Sequence, residues 1–313
     1  MKVLLTGITG NLGCSLGLSL ITRDATVIPL LRTENGTFLE RYPKALAAPV
    51  FGDLLEDARK IPTMDIDAIV HAAGDVSFKS EGRANERMMR TVIEYASFAS
   101  VPIHYVGTAY TYRPEELKDS YVNEYERDKA RAENLLSQSN IPFSIYRPSV
   151  LTGRTDTGEL RSYNGYYRIV RAFSEALKEG KRHKRPVRFP RMLGTSNMVP
   201  VDIVAEYIAE GVLRSTLEDS YLTNPNPPSA DSLLKETLEL LDLDTHIEIV
   251  DISFEEFGAL ELTDEERALY SFASHVRPYW SSTYDFPKSV FAKNYISKEY
   301  LAKTLGAFTH HHV

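Results

Sequence analysis

At 313 residues, with 43% hydrophobic and 25% charged content, the chain can bury a large core in one big domain or in a domain with an appended lobe. A net charge of −7 argues against general nucleic-acid binding, the single cysteine Cys14 excludes an internal disulfide, and no Cys or His spacing would build a zinc site. No apolar run approaches the roughly 20 residues of a membrane helix, and Met1-Lys2-Val3-Leu4-Leu5-Thr6-Gly7 enters a structural motif at once rather than a signal peptide. The expectation is a cytoplasmic protein with no structural metal.

Residues 1–150 alternate short apolar, β-branched runs with longer amphipathic stretches. Val3–Leu5, Thr26–Leu30, Pro49–Phe51, Ala68–His71, Ile103–Val106 and Phe143–Tyr146 are the predicted strands. Their nearly continuous apolar character is that of strands covered on both faces, so the pattern predicts an α/β fold with a doubly wound parallel sheet of the Rossmann kind. After Pro148 the rhythm changes. Gly, Arg, Tyr and Pro crowd residues 153–200, and Asn224-Pro225-Asn226-Pro227-Pro228 breaks the chain again. Residues 151–195 and 226–313 are therefore expected to form a smaller substrate lobe, with 195–225 completing the sheet of the first domain. The His310-His311-His312 end reads as a tag remnant or loose tail rather than a metal site.

Directly after the first strand stands Gly7-Ile8-Thr9-Gly10-Asn11-Leu12-Gly13, leading into a helix that is predicted to run to about Thr22. Glycines here permit a tight turn and close approach of backbone to a pyrophosphate, whose charge then sits at the positive end of the helix. A dinucleotide that binds as NAD would need an acid at the end of the second strand to hold the ribose hydroxyls. Leu31 occupies that place and Arg32 follows, an arrangement suited to a 2′-phosphate, so NADPH/NADP+ is the expected cofactor. Further along, Asp53 can accept from the adenine amino group, Leu54 can line the ring, and His71-Ala72-Ala73-Gly74 lets the cofactor pass near backbone.

In Asn123–Glu133, rich in helix formers, Tyr125, Lys129 and Glu133 recur every four residues on one face. A phenol is a poor proton donor-acceptor at neutral pH unless a nearby cation stabilises its phenolate, and Lys129 supplies one. Thr108 follows the strand Ile103–Val106, placed to hydrogen-bond a carbonyl oxygen. Thr108, Tyr125 and Lys129 form the candidate catalytic group.

The ordered set Thr6-Gly7-x-x-Gly10-x-x-Gly13, Gly52-Asp53-Leu54, His71-Ala72-Ala73, Thr108, Tyr125-x-x-x-Lys129 and Arg147-Pro148-Ser149 resembles the extended short-chain dehydrogenases/reductases. Leu30-Leu31-Arg32, His71 to Phe78, Tyr146 to Gly153 and Asn197 to Asp202 make it most similar to their thioester-reductase and fatty-acyl-reductase branch. The resemblance implies that Tyr125 and Lys129 also contact the cofactor, that Pro148, Ser149 and Val150 add to its site, and that the reaction is hydride transfer from NADPH to a carbonyl carbon of a thioester, aldehyde or ketone. Where the family places an Asn in the helix after the fourth strand this chain has Arg87, with Asn85 nearby, and Asp128 replaces a common Ser. Without an adenylation or carrier domain in this sequence, the substrate is expected free, on coenzyme A or on a separate acyl carrier protein. A nucleotide-sugar epimerase or dehydratase, which would favour an acid at Leu31, and a non-catalytic NADP sensor, which would lack the Tyr-Lys pair, are the alternatives.

Lys181–Arg191 holds seven basic residues (Lys, Arg or His) in eleven positions of an otherwise acidic chain. It follows a helix expected over about Tyr166–Glu179. Two readings stand: a solvated loop, or a patch near the substrate mouth that steers a phosphorylated handle.

Overall fold

The computed structural model describes residues 1–33, 47–77, 82–118 and 120–312. Phe78, part of one segment that carries the resemblance, lies outside the described residues. The chain divides into two compact units that alternate along it, one of residues 1–149, 201–223 and 288–290, the other of residues 150–200, 224–287 and 291–313.

The first unit is built on the doubly wound parallel sheet that the apolar runs predict. Its seven strands are β1 (Lys2–Thr6), β2 (Thr26–Leu31), β3 (Val50–Phe51), β4 (Ala68–His71), β5 (Ile103–Val106), β6 (Phe143–Pro148) and β10 (Ser220–Leu222), in the order β10-β6-β5-β4-β1-β2-β3. Helices α1 (Asn11–Ile21) and α5 (Val201–Leu213) pack together, burying Leu16, Leu20, Val204 and Ile208. Helices α2 (Ala84–Ala99) and α3 (Glu124–Ser137) bury Met89, Val92, Tyr95, Ala132 and Leu136 against Leu4, Ile69, Ile103 and Ile145 of the sheet. Both faces of the strands are thus covered, which is why polar side chains are sparse in them. The strand order reverses beside β1, between β4 and β2, so the loops after β1 and β4 open a crevice at the carboxyl edge of the sheet.

In the second unit β7 (Val150–Thr152) pairs with β9 (Met198–Pro200), and β8 (Val187–Pro190) with β11 (Ile247–Val250). Helix α4 (Tyr166–Arg182) packs on α8 (Asp264–Trp280) around Phe173, Phe189 and Trp280, whose ring centroids lie 5.0 to 6.2 Å apart. Helices α6 (Ala230–Leu240), α7 (Phe254–Gly258) and α9 (Lys298–His312) complete it. The backbone of α9 runs through His310–His312, so this run continues a helix instead of trailing as a loose tail.

The basic segment belongs to this unit, where residues 181–186 are exposed and Val187–Pro190 turns inward as a strand. Lys181 and Arg182 close α4, and Val187–Pro190 is β8. His183 and Arg185 contact the buried Glu265 at 2.5 and 2.9 Å, while Arg188 binds the 1%-exposed Glu266 with its side chain at 2.8 Å and its N–H at 3.0 Å. Arg191 spans Asp231 and Asp251. Acids distant in sequence thus hold His183, Arg185, Arg188 and Arg191, and offset part of the charge that long-range steering would use.

Candidate active site

The loop after β1 is shaped by backbone meeting backbone. Gly7 has φ +73°, and an added Cβ would lie 2.4 Å from Ala73 N and 2.5 Å from Ala72 O; at Gly13 it would lie 2.1 Å from Gly7 O. Only glycine fits either place. Gly10 donates to Gly7 O at 2.9 Å and is the N-cap of α1, with no side-chain cap and no acid in the first turn. Thr9 and Gly10 are exposed, Asn11 is half-buried, and Leu12 turns into the core. This positive helix end, reached between glycines and capped by no side chain, fits a pyrophosphate.

Around it, β2 ends in buried Leu31 followed by exposed Arg32. Asp53 Oδ1 accepts from Leu55 N–H at 2.9 Å, so the carboxylate also closes its own turn, and Leu54 beside it is buried. Ala72 and Ala73 are half-buried and Gly74 is exposed. His71 is engaged inside the fold: its Nδ1 lies 2.8 Å from Thr6 Oγ1, which accepts from Ala73 N–H at 3.1 Å, and its ring stacks on Tyr105 at 5.5 Å. Burial, aided by the charge of Lys129, pulls its pKa down to about 3, so the neutral ring braces the loop. Pro148 ends β6 and Ser149 follows it, its buried hydroxyl without a partner among the described residues, whereas Val150 belongs to the second unit.

The three residues that the spacing singled out come together. Thr108 follows β5 through Gly107, where an added Cβ would strike Glu133 Oε1 at 2.6 Å. The Tyr125 hydroxyl shares a hydrogen bond with the Thr108 side chain. One turn on, Lys129 Nζ donates to Val106 O at 3.2 Å and lies 5.0 Å from the centroid of the Tyr105 ring. Burial pushes the Tyr125 phenol up to about 12, with Thr108 opposing, and lowers Lys129 to about 8, with Glu133 and then Asp128 opposing. At neutral pH the phenol holds its proton and the amine is charged.

Other supports escaped the sequence reading. Arg113 and Glu126 form a buried ion pair, and Arg113 also donates to Tyr110 O and Tyr112 O, holding the connection from Thr108 to Tyr125. Glu133, one turn beyond Lys129, accepts from Arg147 at 2.9 Å and Thr111 at 3.0 Å. Its helical spacing and the Arg147-Pro148-Ser149 motif were signals for that pair, but nothing local marks Arg113 or Glu126.

Residues 51–208 match the Male sterility protein family, an NAD-binding family. The chain is 28% identical over 301 residues to a linear gramicidin synthase of Brevibacillus parabrevis, a match covering 79% of this chain. It is 27% identical over 272 residues to the polyketide synthase-nonribosomal peptide synthetase hybrid himA of Aspergillus japonicus, covering 72% of this chain. In both cases it spans 6% of the relative's length. Among solved structures, the terminal R domain from the myxalamid PKS-NRPS biosynthetic pathway superposes with a TM-score of 0.73 at 22% identity, over 99% of this chain and 91% of that one. A UDP-glucose 4-epimerase superposes with a TM-score of 0.63 at 17% identity, over 99% and 98%. These structures share the fold.

Proposed function

Because the chain belongs to the Male sterility protein family and is a nicotinamide-dependent oxidoreductase of the extended short-chain dehydrogenase/reductase type, we propose that it uses NADPH to reduce a carbonyl carbon, that of an acyl thioester or a related aldehyde or ketone, in lipid or natural-product metabolism. The observation that carries this reading is the meeting of Thr108, Tyr125 and Lys129 at the carboxyl edge of the sheet that also bears the glycine cradle. NADPH, rather than NADH, rests on exposed Arg32 beside buried Leu31.

The reduced nicotinamide supplies the hydride when bound. Thr108 hydrogen-bonds the carbonyl oxygen and polarises it. Tyr125, kept protonated by its burial, gives that oxygen its proton as negative charge develops there, and the Lys129 ammonium stabilises the phenolate left behind. With a thioester the resulting tetrahedral alcohol expels the thiol and leaves an aldehyde, so a substrate linked to a carrier protein or coenzyme A is released by the reaction itself. The carrier-bound chain is the substrate class that the synthetase relatives support.

NADPH oxidation against acyl thioesters, aldehydes, ketones and nucleotide sugars tests the class. Tyr125→Phe is expected to bind NADPH nearly as well as the parent and to turn over roughly 10² to 10⁴ times more slowly. Near-normal turnover would remove Tyr125 from the chemistry, and activity confined to nucleotide sugars would replace the reading with an epimerase.

A further inference from the structure

The start of α2 lacks its own cap. Arg83, the N-cap, sits in the left-handed region at φ 48° and makes no side-chain cap bond, which leaves the first-turn N–H groups to be satisfied elsewhere. Asp128, 43 positions later on α3, satisfies them: Oδ2 accepts from Asn85 N–H at 2.8 Å and Oδ1 from Glu86 N–H at 3.1 Å. Oδ2 also accepts from the Asn85 side-chain amide at 3.0 Å. Asn85 then grips the loop after β4, with Nδ2 donating to Asp75 O and Oδ1 accepting from Asp75 N–H, both at 3.0 Å. At Gly74 an added Cβ would lie 3.0 Å from Lys129 Nζ and 3.1 Å from Asn85 Oδ1. Loop, Asn85 and lysine therefore abut, and Asp128 directly precedes that lysine.

We propose that Asp128 is a positioning residue: it caps α2 from a neighbouring helix and, through Asn85, fixes the Ala72–Asp75 loop against Lys129, setting cofactor cradle and proton-transfer group at one distance. This rests on the reading of that loop and of Lys129 as parts of the active site. A carboxylate suits the task for two reasons. Its two oxygens serve two consecutive backbone N–H groups at once, which one hydroxyl cannot, and its charge lies at the positive end of α2. Asn85 has both amide protons and its carbonyl oxygen engaged, so the link has no slack polar atom that could let it re-pair.

The test compares Asp128→Ala, Asp128→Ser and Asn85→Ala. It measures NADPH dissociation by fluorescence titration, turnover of an aldehyde, and hydrogen exchange of the Asn85 and Glu86 amides. Loss of the link is expected to raise the Kd for NADPH and lower kcat, each about tenfold, since displaced reacting groups lose rate steeply. Asn85→Ala cuts the loop free but leaves Glu86 N–H on Asp128, so the Glu86 amide stays protected there and exchanges faster in Asp128→Ala and Asp128→Ser. If Asp128→Ala does not fold, the other two variants decide. Kd and kcat within twofold of the parent, with only the melting temperature lowered, would overturn the proposal and make Asp128 a cap of α2 alone. Nucleotide binding and exchange need no carbonyl substrate, so failure of the reductase reading leaves both readouts valid. Normal turnover in the variants would refute the positioning role while the reductase reading stands.

Discussion

Lys129 tests the electrostatics of the site most directly, because the structure implies that it weakens the fold. Its pKa falls from 10.5 to about 8, chiefly through burial. At 1.36 kcal/mol per unit this corresponds to about 3 kcal/mol of unfavourable free energy for holding the charged form inside the protein. The folded-state pKa lies below the unfolded one, so between these two values the unfolded chain binds more protons and stability rises with pH. The penalty is thus full below about pH 8 and fades towards pH 10.5. Lys129→Met keeps an unbranched side chain and deletes the charge. It also forfeits the bond to Val106 O and the contact with the Tyr105 ring, together worth about 1 to 2 kcal/mol. The variant is expected to be about 1 to 2 kcal/mol more stable than the parent at pH 7, an advantage that shrinks by about 2 kcal/mol by pH 9.5, while turnover is lost. Urea unfolding followed by circular dichroism at the two pH values measures this. A less stable Met variant at pH 7 whose deficit does not change with pH would refute the desolvated-lysine argument.

Arg32→Ala is expected to weaken NADPH by about 1.5 to 3 kcal/mol and NADH hardly at all, read from paired binding titrations; equal losses would mark Arg32 as a general surface charge. Glu266→Ala, which removes both the partner of Arg188 and the capping box at the start of α8, is expected to lower stability by about 2 kcal/mol by thermal or urea unfolding. Its effect on turnover should be the same for phosphorylated and uncharged substrates. Unchanged stability with a selective change for a phosphorylated thioester would restore a steering role to the basic segment.

Much of the fold was legible because its signals are local. Buried parallel strands need apolar, β-branched runs, and Val3–Leu5, Ala68–His71 and Ile103–Val106 announce themselves; a backbone cradle needs glycine, and Gly7 and Gly13 fit nothing else. Helical geometry alone puts Tyr125, Lys129 and Glu133 on one face. What tertiary structure alone decided were partners far apart in sequence and the depth at which a charge sits. The Lys181–Arg191 run reads as a cationic surface until Glu265 and Glu266 arrive from α8. Asp128 reads as a substituted serine until α2 presents its uncapped N–H groups to it. Lys129 reads as a free ammonium until sheet and helices close over it and bring its pKa down to about 8. Spacing fixes the direction in which a side chain leaves the backbone, whereas its partners and dielectric surroundings exist only once the distant elements have packed.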